Sequence, residues 1–99
     1  MSDVIITYEE TGSRGRYAAR IEGLEGEAEM TLSKLSETRV IVDHTGVPDT
    51  MRGRGVAAAL AERAIADARA AGRRIVPLCP FLKSYAQRHR VETADIVEL

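Results

Sequence analysis

The residues with the clearest chemical potential form one short run, Arg52-Gly53-Arg54-Gly55-Val56-Ala57, placed directly before a long helical pattern. Two glycines ahead of a helix let the backbone turn tightly and approach a ligand without side-chain interference. The first-turn N–H groups, near Gly55 to Ala57, lack helical acceptors and sit at the positive end of the helix dipole. The run therefore predicts an anion site. Arg52 and Arg54 add charge that suits a diphosphate better than a single carboxylate. Two further groups, His44 and Cys79, are a base type and a nucleophile type at the ends of two strand-like runs.

Other phosphate-binding motifs fit this run poorly. Gly53 to Ala58 matches the spacing G-x-G-x-x-G/A, but a dinucleotide fold needs a strand running straight into the glycines and an acid about 20 residues later. Neither is present, because the preceding strand pattern ends near His44 and the segment after the helix is Arg73-Arg74-Ile75. No Gly-Lys-Ser/Thr follows, which removes a P-loop. The plain alternative is that the glycines only turn the chain into the helix.

The elements that must position these groups follow from hydrophobic period. Val4 to Tyr8 and Tyr17 to Ile21 alternate as strands around a turn at Thr11 to Gly15; Glu27 to Leu32 and Thr38 to His44 continue the pattern as an antiparallel meander. From Val56 to Ala71 the period changes, with Val56, Leu60, Ala64 and Ala68 on one helical face and Gly72 as the stop. Arg74 to Cys79 reads as a buried strand interrupted by Pro77, and Phe81 to Arg90 as a short helix. The tail from Ala94 is ambiguous. This is an α/β (α+β) arrangement, an antiparallel meander leading into a parallel strand-helix-strand unit with a short C-terminal helix.

Bulk properties bound the function. Ninety-nine residues, 44% of them hydrophobic and 29% charged, predict one soluble domain over 1–99 with one core. A formal charge of -1 argues against nonspecific nucleic-acid binding, and no aromatic stacking platform accompanies the arginines. No stretch reaches membrane-spanning length and the first twenty residues show no secretory core. The single cysteine, Cys79, allows no intrachain disulfide, so a reducing, cytoplasmic setting is expected. No metal is implied.

At this point the chain resembles a known family. Arg52-Gly53-Arg54-Gly55-Val56-Ala57 matches the GNAT acetyltransferase motif Arg/Gln-x-x-Gly-x-Gly/Ala. The longer run from His44-Thr45 through Val47-Pro48 and the glycine loop to Pro77-Leu78-Cys79-Pro80-Phe81 and Tyr85 is similar to a small stand-alone subgroup of that superfamily. The resemblance spans nearly the whole chain. It implies acetyl-CoA (coenzyme A) as cosubstrate, with the pyrophosphate on the helix start and the pantetheine arm between two splayed parallel strands. Those strands would be the ones ending at His44 and Cys79, joined by the helix as a right-handed crossover.

The resemblance also implies roles. Val47, Arg52, Gly53, Arg54, Gly55, Val56 and Ala57 would bind the cosubstrate; Cys79, His44 and Tyr85 would be catalytic. His44 and Cys79 would face each other across the thioester. Either Cys79, activated by His44, accepts the acetyl group covalently, or His44 or a water acts as base for direct transfer. Tyr85 would protonate the departing thiolate. Cys79 read as a buried small hydrophobe, and Tyr85 as core packing, remain open alternatives. Arg88 and His89, on the same short helix, read as surface residues. The chain departs from the family in three places: a bare turn at Thr11 to Gly15 where helices are usual, almost nothing after Arg90, and Gly46 where the subgroup tends to carry an acid. The acceptor would be an amine, on a small molecule or a protein. A non-catalytic acyl-CoA binding or sensing module is the alternative.

Overall fold

The alternating segments pair as four antiparallel strands, β1 (Val4–Thr11), β2 (Arg14–Ile21), β3 (Ala28–Lys34) and β4 (Arg39–Gly46). The computed structural model describes residues 4–99; residues 1–3 of the expected 1–99 domain lie outside them. Helix α1 (Val56–Ala71) then crosses to β5 (Arg74–Pro77), which lies parallel to β4, so the sheet order is β1-β2-β3-β4-β5. Two further helices follow, α2 (Pro80–Arg88) and a single turn, α3 (Arg90–Thr93).

The expected elements are all present, with edges moved for local reasons. The turn expected at Thr11 to Gly15 contracts to Gly12-Ser13, because Gly12 takes φ 61° and lets Thr11 pair with Arg14. β5 ends at Pro77 instead of Cys79. Proline donates no ladder bond there, and Pro80 opens α2 at the first helical position with Cys79 as its N-cap. The helix expected to run to Arg90 breaks at His89, whose backbone (φ -117°, ψ 41°) is not helical. The ambiguous tail joins the sheet through a parallel bridge of Val97 to Ile75 on the free side of β5.

The core lies on one face of the sheet. Tyr17, Ala19, Ala28, Met30, Val42 and Ile75 from the strands meet Leu60, Ala64 and Ala68 of α1 and Leu82 and Ala86 of α2. Alanines on β2 and β3 let α1 sit close to the strands, and the three α1 residues at i, i+4 and i+8 supply its inward stripe. The opposite face is open and polar, with Glu9, Arg16, Arg20, Glu29, Thr31 and Asp43 exposed or half-buried.

The two pairings of β4 differ in length. On the β3 side it is paired as far as Gly46; on the β5 side the ladder stops at Val42–Pro77, followed by one bond from Cys79 N–H to the Val42 carbonyl (3.0 Å). Residues 43–46 therefore leave the strands splayed. On the β3 side a bulge at Asp43 sets Val42 opposite Leu32 but His44 opposite Thr31.

Candidate functional site

The glycine loop is anchored at both of its ends. Pro48 leads into a 3₁₀ turn, Asp49–Met51, whose Met51 side chain is fully buried; Thr50 Oγ1 donates to the Glu25 carbonyl (2.9 Å) and fastens the turn to the β2–β3 connection. After it Gly53 and Gly55 adopt φ 77° and 76°, the left-handed region that disfavours any residue with a Cβ. A Cβ built on either meets nothing within 4 Å, so backbone conformation, not crowding, requires glycine, and the space before them is free for a ligand. Val56, buried beneath the loop, pins the helix start.

The first intrahelical bond of α1 runs from Ala59 N–H to the Gly55 carbonyl (3.0 Å), and no side chain caps the helix. The N–H groups of Val56, Ala57 and Ala58 thus precede the helical ladder and add to the positive end of the dipole. Arg52 and Arg54 are exposed beside them; Arg52 Nε is paired with Asp49 Oδ1 at 3.0 Å. This supplies the donors and charge that a diphosphate requires.

In front of the loop lies a cleft of about 350 Å³ between α1 and α2. Val47, Met51, Val56 and Phe81 form apolar wall; Arg52, Tyr85, Arg88 and His89 supply the polar groups. Arg88 and His89 are exposed, as expected of surface residues, and they also line the cleft. The signal was in the spacing: Phe81, Tyr85 and Arg88 stand at i, i+4 and i+7 and share a helix face. The Tyr85 ring is buried and stacks on His89, centroids 4.4 Å apart. Burial, reinforced by Glu62 and Glu92 against Arg88, raises the Tyr85 phenol above its ordinary pKa, so its proton is held at neutral pH.

The two strand ends are arranged otherwise than expected. With Val40 and Val42 inward, unbroken alternation would point residue 44 into the core beside Cys79. The bulge at Asp43 changes the phase. His44 turns to the open face, where its Nε2 lies 3.9 Å from Glu29 Oε2, and Thr45 takes the inward place opposite the buried Met30. Cys79, buried at the start of α2, donates its S–H to Thr45 Oγ1 at 3.1 Å. The structure brings together the glycine loop, Val47 and Tyr85, and Cys79 with Thr45; it does not bring His44 to Cys79.

Among the described residues no group of three or more His, Cys, Asp or Glu is placed to hold a metal ion, and no helix is long and apolar enough to cross a membrane. A family model described as GCN5-related N-acetyl-transferase matches residues 16–96, a span that includes the loop, the cleft and both strand ends. No curated protein matches the chain.

Proposed function

The chain belongs to the GCN5-related N-acetyltransferase family, and from that premise we propose that it moves an acetyl group from acetyl-CoA to an amine. The observation that carries the donor assignment is the start of α1, without a side-chain cap, behind two left-handed glycines and opening on a cleft with an apolar wall. The N–H groups of Val56, Ala57 and Ala58 hold the pyrophosphate, with Arg52 and Arg54 as supporting charge. Gly53 and Gly55 let it approach. Val47 lines the path from there toward the strand ends.

The splayed stretch 43–46 of β4, paired on its β3 side alone, offers unpaired backbone to the amides of the pantetheine arm. An arm laid along this edge brings the thioester toward the Thr45–Cys79 pair at the start of α2. Direct transfer is supported over a covalent route, because the Cys79 thiol has Thr45 as its partner and lacks the adjacent imidazole that would activate it. In direct transfer the amine lone pair forms the C–N bond, the C–S bond breaks, and the electron pair leaves on sulfur. Tyr85, a phenol protonated at neutral pH, stands in the cleft to supply the proton that the sulfur takes up.

The test is incubation with radiolabelled acetyl-CoA and a panel of amines. Label transferred to an amine supports the enzyme; saturable acetyl-CoA binding with no transfer to any amine overturns it in favour of a binding module. Cys79→Ser separates the routes: direct transfer predicts that turnover survives, whereas a labelled protein intermediate lost in that variant would establish the covalent one.

A further inference from the structure

The donor assignments name no residue that binds the acceptor, and the open face of the sheet, to which His44 turns, carries a set suited to it. Among the ionisable side chains there, three from neighbouring strands form one cluster: Arg16 from β2, Glu29 from β3 and His44 from β4. Arg16 Nε donates to Glu29 Oε1 at 2.8 Å, and its Nη2 donates to Glu27 at 2.7 Å. That fixes one carboxylate oxygen of Glu29 and leaves the other, Oε2, 3.9 Å from His44 Nε2. Both remain reachable from solvent: the Glu29 side chain is 34% exposed and that of His44 62%.

Gly46 explains how the pair can meet. It lies directly across from Glu29, and a Cβ built on it would stand 3.1 Å from His44 Nε2 and 3.9 Å from Glu29 Cγ. The missing side chain leaves the hollow in which imidazole and carboxylate converge. Glu29, on the adjacent strand, thus brings a carboxylate to this hollow. The hollow sits on the splayed part of β4, with Thr45 and Cys79 on the other side of the same strand.

We propose that Glu29 and His44, meeting over Gly46 on the open face of the sheet, form the acceptor site and that the acceptor is a primary amine arriving as its ammonium ion. This rests on the acetyl-transfer reading above. Glu29 Oε2 attracts the cation, and Arg16 acts as a positioning residue that holds the carboxylate in place. His44 Nε2 takes one proton from the ammonium and passes it to solvent from its exposed ring. The freed lone pair attacks the thioester carbonyl; as the C–S bond breaks, Tyr85 gives its proton to the departing sulfur and is restored by the second proton lost from nitrogen. Products are the N-acetyl amide, the CoA thiol and one proton released. The site has no enclosing walls, so it accepts an ammonium carried on a peptide or on a small molecule alike.

The experiment measures steady-state kinetics with a lysine peptide and with a free alkyl diamine, alongside acetyl-CoA affinity by calorimetry and folding by circular dichroism. Glu29→Gln is expected to raise KM for the amine about tenfold at unchanged acetyl-CoA affinity, as loss of a charged hydrogen bond would. Glu29→Asp should recover part of it. His44→Gln should lower kcat about 100-fold at unchanged acetyl-CoA affinity, the usual worth of a general base. As an independent variant, Gly46→Ala should raise the amine KM by crowding the hollow. If the wild-type protein acetylates an amine while Glu29→Gln and His44→Gln stay within about twofold of it, the acceptor site is wrong and the acetyl-transfer reading stands. If the wild type acetylates no amine at all, that reading itself fails. A preference for peptide or diamine identifies the carrier, and a neutral hydroxyl acceptor outperforming both would overturn the ammonium assignment.

Discussion

Glycines close both ends of α1 in nearly the same left-handed conformation, φ 76° at Gly55 and φ 71° at Gly72, yet the two ends are chemically opposite. At the C-terminal end the helix satisfies itself: Gly72 N–H bonds to the Arg69 carbonyl (3.3 Å) and Arg73 N–H to the Ala68 carbonyl (2.8 Å). At the N-terminal end nothing caps the helix, and three N–H groups look out over the cleft. The same residue in the same conformation therefore closes the helix at one end and, at the other, leaves backbone donors without a side-chain cap beside the cleft. What separates them is whether the freed backbone groups find partners within the chain.

Four substitutions test that contrast. The largest effect is expected where both ends depend on a common support. Leu60 is fully buried between α1 and the sheet, so Leu60→Ala should cost about 3 kcal/mol of stability in denaturant unfolding. It should weaken acetyl-CoA binding only through the loss of folded protein. Next comes Gly55→Asp, which sets an anion where the pyrophosphate is assigned and should weaken acetyl-CoA about 100-fold, or about 2.7 kcal/mol, by calorimetry. Unchanged affinity there would remove the functional half of the comparison.

Gly72→Ala is the matching change at the other end. It should lower stability by about 1 kcal/mol through the left-handed penalty while leaving acetyl-CoA affinity within about twofold. A drop in affinity as large as that of Gly55→Asp would show that the two ends are not distinct. The smallest effect belongs to Arg52, which is largely exposed and already paired with Asp49. Arg52→Ala should weaken acetyl-CoA about threefold at low salt, and the difference should vanish at high salt.

The open face offers a second contrast, with the core face of the same strands. Inward positions are small or apolar, as at Ala19, Ala28 and Met30; outward ones carry Arg16, Glu29 and Asp43. This alternation was legible in the sequence for β2 and β3. It failed at β4, where continuing the period past Val42 sends His44 inward toward Cys79, and the bulge at Asp43 sends it outward instead.

Local signals thus determined what local physics controls. The strand and helix periods, the glycine stop of α1 and the left-handed glycine turn into the helix start at Gly53 to Val56 all follow from neighbours along the chain, whose backbone conformation and hydrogen bonding depend on residue type at short range. The pairing of groups across strands did not. Along its strand Glu29 is one polar position in a polar–apolar alternation; only register sets it opposite Gly46 and next to His44. Thr45 meets Cys79, and Arg88 and His89 reach the cleft, through packing between elements far apart in sequence. A one-residue bulge adds no mark to the sequence, yet by shifting a period of two it decides which side chains share a face. The proposed donor site lies in a single continuous loop and helix start, which is why the sequence reveals its parts; the proposed acceptor site draws on three strands, which is why only the folded sheet brings its parts together.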